Sequence, residues 1–281
     1  MPSSILVGDI GSTKSTWWLQ EETAHEIQLG GYNPVVHSST VGSNLFTELQ
    51  RKTSSTRIDA IWYYGAGILD EQVAANVTAL LRGVFPDCPI HVASDLVGAA
   101  YAACGHAPGT VAILGTGSHA AIWNGHAVTR QATSLGYILG DDGGGCDIGK
   151  SLIQAYFYHD MPDVIQAEMA DRIPGGRNKL LQELHSSSVP NQYLATFARV
   201  AVQFKDHEWI QKLVSSRFKV FVEKHLVPLE ADFEVHIIGS IGCIFASLMI
   251  DELKQHRLKA GHLIRNPAQR LFERHMEHGR N

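Results

Sequence analysis

The sequence predicts an α/β protein made of two similarly built halves. Three observations carry that expectation. A strand–turn–strand unit over Ile5 to Leu19 recurs over Thr110 to Trp123, strand and helix signals alternate after each, and Gly105-His106-Ala107-Pro108-Gly109 forms the strongest linker signal in the chain. The linker divides the sequence into a first domain at residues 1–105 and a second that follows it. A length of 281 residues accommodates two modest domains.

The elements follow in order. Ile5 to Val7 and Thr16 to Leu19 are apolar and rich in strand formers, with a polar turn between them. Gly30-Gly31-Tyr32-Asn33-Pro34 is a turn signal, since the residue before proline is steered away from helix. Leu45, Phe46 and Leu49 share one helical face; Ile58 to Tyr64 is a strand; Val73, Val77, Leu80, Leu81 and Val84 mark an amphipathic helix. Ile90 to Ala93 is a strand running directly into Ser94-Asp95, and a helix of small residues continues from Leu96 to Cys104.

In the second half, Thr110 to Leu114 is a strand, Gly115-Thr116-Gly117-Ser118 a glycine-hydroxyl turn, and His119 to Trp123 a strand. Asn124-Gly125 predicts a two-residue hairpin. Gly136 to Gly145 is a glycine-rich loop that carries Asp141 and Asp142. The chain beyond Asp147 reads as helical, with breaks at Pro174-Gly175-Gly176 and Val189-Pro190-Asn191. Val235 to Ile238 is a late strand ending in Gly239-Ser240-Ile241-Gly242, with a helix through Met249 and Leu253 after it. Asn266-Pro267 supplies an N-cap and first position for a terminal helix.

Bulk composition narrows the class. A hydrophobic content of 44% with 18% charged residues suits a globular core, and a formal charge of −5 gives no reason to expect a nucleic-acid partner. No apolar run reaches membrane-spanning length, and the N-terminus lacks the pattern of a signal peptide, so a cytoplasmic protein without a membrane partner is expected. Cys88, Cys104, Cys146 and Cys243 form no C-x-x-C pair and read as reduced thiols. The 15 histidines are scattered, and His275 and His278 read as solvated surface.

The first turn has the makings of a phosphate site. Gly11 permits a positive φ, a sharp turn aims successive backbone N–H groups into one concavity, and Ser12, Thr13 and Ser15 add hydroxyls beside the Lys14 charge. Asp9, at the end of the first strand, is placed to hold a hydrated Mg²⁺. This is not the P-loop, because Thr13 precedes Lys14 and a strand rather than a helix follows. A polar hairpin turn with no ligand accounts for the same residues. Two more such turns, at Gly115 to Gly117 and Gly239 to Gly242, weigh toward a nucleotide.

Taken together, Gly8-Asp9-Ile10-Gly11-Ser12-Thr13-Lys14-Ser15, Ala93-Ser94-Asp95, Leu114-Gly115-Thr116-Gly117-Ser118, Gly136-Tyr137-Ile138-Leu139-Gly140-Asp141-Asp142-Gly143 and Ile238-Gly239-Ser240 resemble the N-acetylglucosamine kinases of the sugar kinase, heat-shock chaperone and actin superfamily. The resemblance implies two ribonuclease-H-like (actin-like ATPase) domains with a cleft between them. They would occupy 1–105 and 106–266, with a terminal helix at 267–281 rejoining the first. It implies ATP and Mg²⁺ as cofactors, a small-molecule sugar substrate, and a homodimer as one option.

Residue by residue, Asp95 matches the family's general base, a role a carboxylate at a strand end can fill, although a helix N-cap is the blander role. Gly11, Ser12, Thr13, Lys14 and Ser15, with Thr116 and Gly117, fall on the phosphate turns; Gly239, Ser240 and Gly242 fall where the family contacts adenosine. Asn33 and Asp141 match sugar-binding positions, Asn33 serving equally as a turn former before Pro34. Ser118, Leu135 and Gly136 align with the acyl-sugar pocket. Two departures stand out. Asp142-Gly143-Gly144 replaces the family's usual Glu-Gly-Ser, and His119 stands where relatives often carry asparagine; both bear on sugar preference.

Other readings share the pattern. Activator ATPases of the acyl-CoA dehydratase and reductase kind hold an iron–sulfur cluster with two cysteines per subunit, for which Cys104 and Cys146 are the available pair. A non-catalytic nucleotide sensor is the other alternative. Pantothenate kinases are disfavoured by Ser12 and by the third glycine turn.

Overall fold

The computed structural model describes residues 4–12, 14–21, 23–230 and 232–278. Contacts gather the chain into two units, one running to His106 and resuming at Asn266, the other spanning Ala107–Arg265.

The first unit contains β1 (Ile5–Ile10), β2 (Lys14–Leu19), β3 (His25–Gly30), α1 (Ser39–Lys52), β4 (Ala60–Gly65), α2 (Glu71–Arg82), β5 (Ile90–Ser94) and α3 (Asp95–Cys104), closed by the C-terminal helix Pro267–His278. Its sheet has the order β3-β2-β1-β4-β5. The β1–β2 and β2–β3 pairs are antiparallel, whereas β1–β4 and β4–β5 are parallel. Central β1 is covered on both faces, which explains its unbroken apolar opening. Trp17, Phe46 and Tyr63 pack edge to face in the core.

The second unit repeats this plan. It contains β6 (Gly109–Leu114), β7 (Ser118–Trp123), β8 (Val128–Gln131), a helical segment α4 to α9, β9 (Val235–Ile238), α10 (Ser240–Ile244), α11 (Ala246–Gln255) and β10 (Ala260–Ile264). The helices are α4 (Gly136–Leu139), α5 (Gly145–Phe157), α6 (Asp163–Arg172), α7 (Gly176–Ser186), α8 (Pro190–Gln203) and α9 (Glu208–Phe221). Sheet order is β10-β9-β6-β7-β8, with β6–β7 and β7–β8 antiparallel and β6–β9 and β9–β10 parallel. Strand for strand, this is the first unit's topology. The chain therefore has the duplicated α/β, ribonuclease-H-like architecture read from its sequence. None of its described helices is long and apolar enough to cross a membrane.

Several local expectations are corrected. The edge strands β3, β8 and β10 escape a sequence reading because only Ile27 among their side chains is buried, so no apolar alternation marks them. The Asn124-Gly125 turn is four residues long, not two. Asn124 Oδ1 accepts from His126 N and Ala127 N, and Trp123 pairs with Val128 across it. The glycine-rich loop opens with the single helical turn α4. His275 is buried rather than solvated: its ring stacks on Trp62 and its Nε2 lies 2.8 Å from the Tyr64 hydroxyl. The side chain of His278 lies outside the described residues.

Candidate functional site

In the first unit, the parallel strands fix where the carboxylates stand. Asp9 is in register with Tyr64, and Tyr64 with Ala93, so Asp9 and the Ser94-Asp95 junction lie at the carboxyl ends of strands separated by β4. Ligands of parallel sheets bind at such ends. The two acids sense each other. The Asp9 pKa is raised from 3.8 to about 6, first by burial and then by the Asp95 charge, with Lys14 opposing.

Asp95 is the first residue of α3, and the N-cap of that helix is Ser94, whose Oγ accepts from Val97 N at 3.2 Å. The capping role that could have explained Asp95 therefore belongs to its neighbour. One Asp95 oxygen accepts from Leu96 N at 2.9 Å.

The turn after β1 closes through Gly11 N donating to Lys14 O at 3.0 Å. Gly11 does not adopt a positive φ, contrary to expectation; a Cβ there would come within 3.3 Å of the Lys14 carbonyl oxygen. Lys14 is exposed and Ser12 half-buried, while Thr13 lies outside the described residues. Ser15 is turned away from any ligand. Its buried hydroxyl donates to Gly30 O at 2.7 Å and accepts from Trp17 Nε1 at 3.1 Å, so it ties β2 to β3 and to the core. Asn33 is strapped to the turn, since Tyr32 N donates to Gly11 O at 3.0 Å and Asn33 Nδ2 donates to Ser12 Oγ at 3.1 Å.

The second unit brings its own candidates together. The turn after β6 is stitched to the start of α5: Gly145 N donates to Gly115 O and Cys146 N to Thr116 O, both at 2.8 Å. Asp141 stands against this turn, one carboxylate oxygen accepting from Ser118 N at 3.3 Å. Gly117 makes that approach possible, because a Cβ on it would lie 2.7 Å from the Asp141 carboxylate. Asp141 holds a left-handed backbone at φ 59°, an uncommon state for a residue with a side chain. Burial raises its pKa, while the Ser118 N–H, Lys150 and His119 oppose the rise.

Gly239, with φ 106°, brings the third turn beside the second; a Cβ there would sit 2.5 Å from Leu114 O. Ser240 opens α10 and Gly242 is buried within it. Ser118 Oγ and His119 Nδ1 are buried polar atoms with no hydrogen-bond partner among the described residues. Leu135 and Gly136 are exposed at the entrance of α4, beside exposed Ile138 and Leu139.

Three further residues, Asp147, Arg217 and His225, contribute without having been singled out from the sequence. Asp147, buried in the first turn of α5, accepts from Gly143 N at 2.9 Å and from Arg217 Nε and Nη2 at 2.7 and 3.1 Å. Arg217 also reaches Asp142 at 3.4 Å, and His225 Nε2 lies 3.0 Å from the other Asp142 oxygen. The network pins the loop that displays Asp141. A carboxylate at the start of a helix hints at Asp147, but Arg217 and His225 come from a remote helix and were not legible. Cys104 and Cys146 are buried, and burial pushes each thiol up to about 11.

No protein-family model matches the sequence, and no curated protein matches it. Solved structures do. The candidate N-acetylglucosamine kinase of Porphyromonas gingivalis is similar over 98% of this chain and 99% of its own, at 29% identity and a TM-score of 0.91. A candidate N-acetylglucosamine kinase of Chromobacterium violaceum aligns over 97% and 98%, at 16% identity and a TM-score of 0.72. A ROK family glucokinase of Streptomyces griseus, solved with glucose and AMPPNP, shares the fold at 13% identity and a TM-score of 0.59, over 93% of each chain.

Proposed function

From the similarity of nearly the whole chain to candidate N-acetylglucosamine kinases, we propose that it is an ATP-dependent sugar kinase of the sugar kinase, heat-shock chaperone and actin superfamily. Its acceptor is N-acetylglucosamine or a related amino sugar, phosphorylated at the 6-hydroxyl. The observation that carries the reading is the carboxylate pair Asp9 and Asp95 at the strand ends, with helix capping left to Ser94.

Asp95 accepts the proton of the sugar hydroxyl as that oxygen attacks the γ-phosphorus of ATP; the new O–P bond forms while the bond to the departing ADP breaks. Asp9 fits a divalent cation, since a buried carboxylate raised by a neighbouring acid is relieved by positive charge. Bound there, Mg²⁺ would neutralise charge on the phosphates. Ser12, Lys14 and the backbone of the first turn, with Thr116 and Gly117, hold phosphate oxygens, while Gly239 and Ser240 contact the nucleoside. Asn33, Asp141, Ser118 and His119 bind sugar hydroxyls and the acyl group; the unpartnered Ser118 and His119 atoms support this, because buried polar atoms call for partners. The activator reading fares worse, because a cluster shared between subunits needs thiols at the surface and Cys104 and Cys146 are both buried.

The test is ADP release with Mg-ATP across N-acetylglucosamine, glucosamine, N-acetylmannosamine, glucose and pantothenate. Turnover is expected with an amino sugar. Silence across the panel overturns the kinase reading.

A further inference from the structure

Within the second unit, a cavity of about 440 Å³ opens against the loop that carries Asp141; Arg130, Gln131, Gly140, Asp142, Lys224 and His225 line it. That volume is in the range of small-molecule sites. Its charge is unbalanced. Arg130 and Lys224 bring two basic side chains, and the one carboxylate among the described lining residues, Asp142, is already held by Arg217 at 3.4 Å and His225 at 3.0 Å. Lys224 has no ion pair among the described residues. Arg130 donates to Pro228 O at 3.1 Å and approaches Glu230 at 3.9 Å, but that glutamate side chain is 81% exposed and the pair is correspondingly weak.

The backbone beneath the cavity is unusual as well. Lys224 and His225 belong to a π-helical turn, Val222–Leu226, that interrupts the end of α9. Such turns are rare and recur at functional sites, because the widened turn displaces side chains from ordinary helical positions. The cavity is also joined to the candidate sugar residues on two sides. His225 bonds Asp142, the neighbour of Asp141, and Gln131 Oε1 lies 3.4 Å from His119 Nε2.

We propose that this cavity, which Leu135 also lines, is an anion site adjoining the candidate sugar residues, taking the phosphate monoester of a small sugar between Arg130 and Lys224, and that its occupancy is felt at Asp141 through His225 and Asp142. The identity of the ligand rests on the kinase reading, since that reaction makes a sugar phosphate; inorganic phosphate shares the same chemistry.

The test is calorimetric titration of the full-length protein with N-acetylglucosamine 6-phosphate, with inorganic phosphate and with N-acetylglucosamine, in the native chain, the Arg130→Gln/Lys224→Gln double variant and Glu230→Gln. The double variant should lose about tenfold or more in affinity for the phosphate-bearing ligand, keep its affinity for the unphosphorylated sugar, and turn over normally at saturating sugar with product inhibition relieved. Glu230→Gln should bind as tightly as the native chain or several-fold tighter. The ligand whose affinity falls more in the double variant names the source of the phosphate. Equal phosphate affinity in native and double-variant proteins with matching melting curves overturns the site. A parallel loss of unphosphorylated sugar overturns it too, by making the cavity part of the sugar pocket. Binding is read without turnover, so a chain that binds phosphate through these residues but phosphorylates nothing would refute the kinase reading and leave this site standing.

Discussion

The Asn33 side-chain amide donates to the Ser12 hydroxyl at 3.1 Å while its Oδ1 accepts from Val35 N at 2.9 Å. One side chain thus forms the turn before Pro34 and braces the turn after β1. Of the two roles the sequence left open for Asn33, the turn former is the one these bonds display, and the brace to Ser12 adds to it.

Gly67 tests that brace without altering a candidate ligand residue. It has a φ of 78°, and a Cβ on it would come 2.1 Å from Asn33 Oδ1. Gly67→Ala is expected to displace the Asn33 amide, cost about 1 kcal/mol or more in stability, and raise the sugar KM. Melting curves and steady-state kinetics read both effects; a folded variant with an unchanged KM would remove Asn33 from the sugar site.

Ser94 and Asp95 make a contrasting pair. Asp95→Asn should lower turnover by about 10²–10⁴ with the fold intact. Ser94→Ala should instead cost about 1 kcal/mol of stability by removing the α3 cap, with most turnover retained. Near-normal activity in Asp95→Asn would dismiss it as the base.

Asp9 ties stability to pH. Its folded-state pKa of about 6 lies above its ordinary 3.8, so between those values the native state keeps a proton that the unfolded chain has lost. The group's contribution therefore falls as pH rises through that window, by up to about 3 kcal/mol. Asp9→Asn should melt higher than the native chain above pH 6 while losing Mg²⁺-dependent turnover. A lower melting temperature at pH 8 would contradict the desolvation argument.

Arg217 serves two carboxylates at once. Arg217→Met would leave Asp147, with a side chain 8% exposed, without its cation. We expect a loss of about 2–4 kcal/mol, toward the lower end for a broken buried pair because Arg217 itself is 27% exposed. Chemical denaturation measures it, and a loss below about 1 kcal/mol would show that the loop is held by backbone bonds alone.

What could be read beforehand follows burial. β1 and β6 carry apolar residues on both faces, so their strands and the glycine turns beyond them were evident. β3, β8 and β10 lie on sheet edges with little buried, and nothing in their composition separates them from loop. Ser15 shows the converse error. Its place in a polar turn suggested a phosphate donor, but strand alternation turns its hydroxyl inward to Gly30 and Trp17.

By itself, the sequence determined the duplicated strand–turn–strand plan, the glycine turns and the acids at the strand ends, because periodicity and turn chemistry are local properties. Only the tertiary structure decided that Asp9 and Asp95 share one electrostatic environment, and that Arg217 and His225 hold the Asp142 loop. Those relationships depend on strand register and on helix packing between residues far apart in the chain. Local composition does not encode such pairings, and the physics of burial and charge applies only once the fold has brought the groups together.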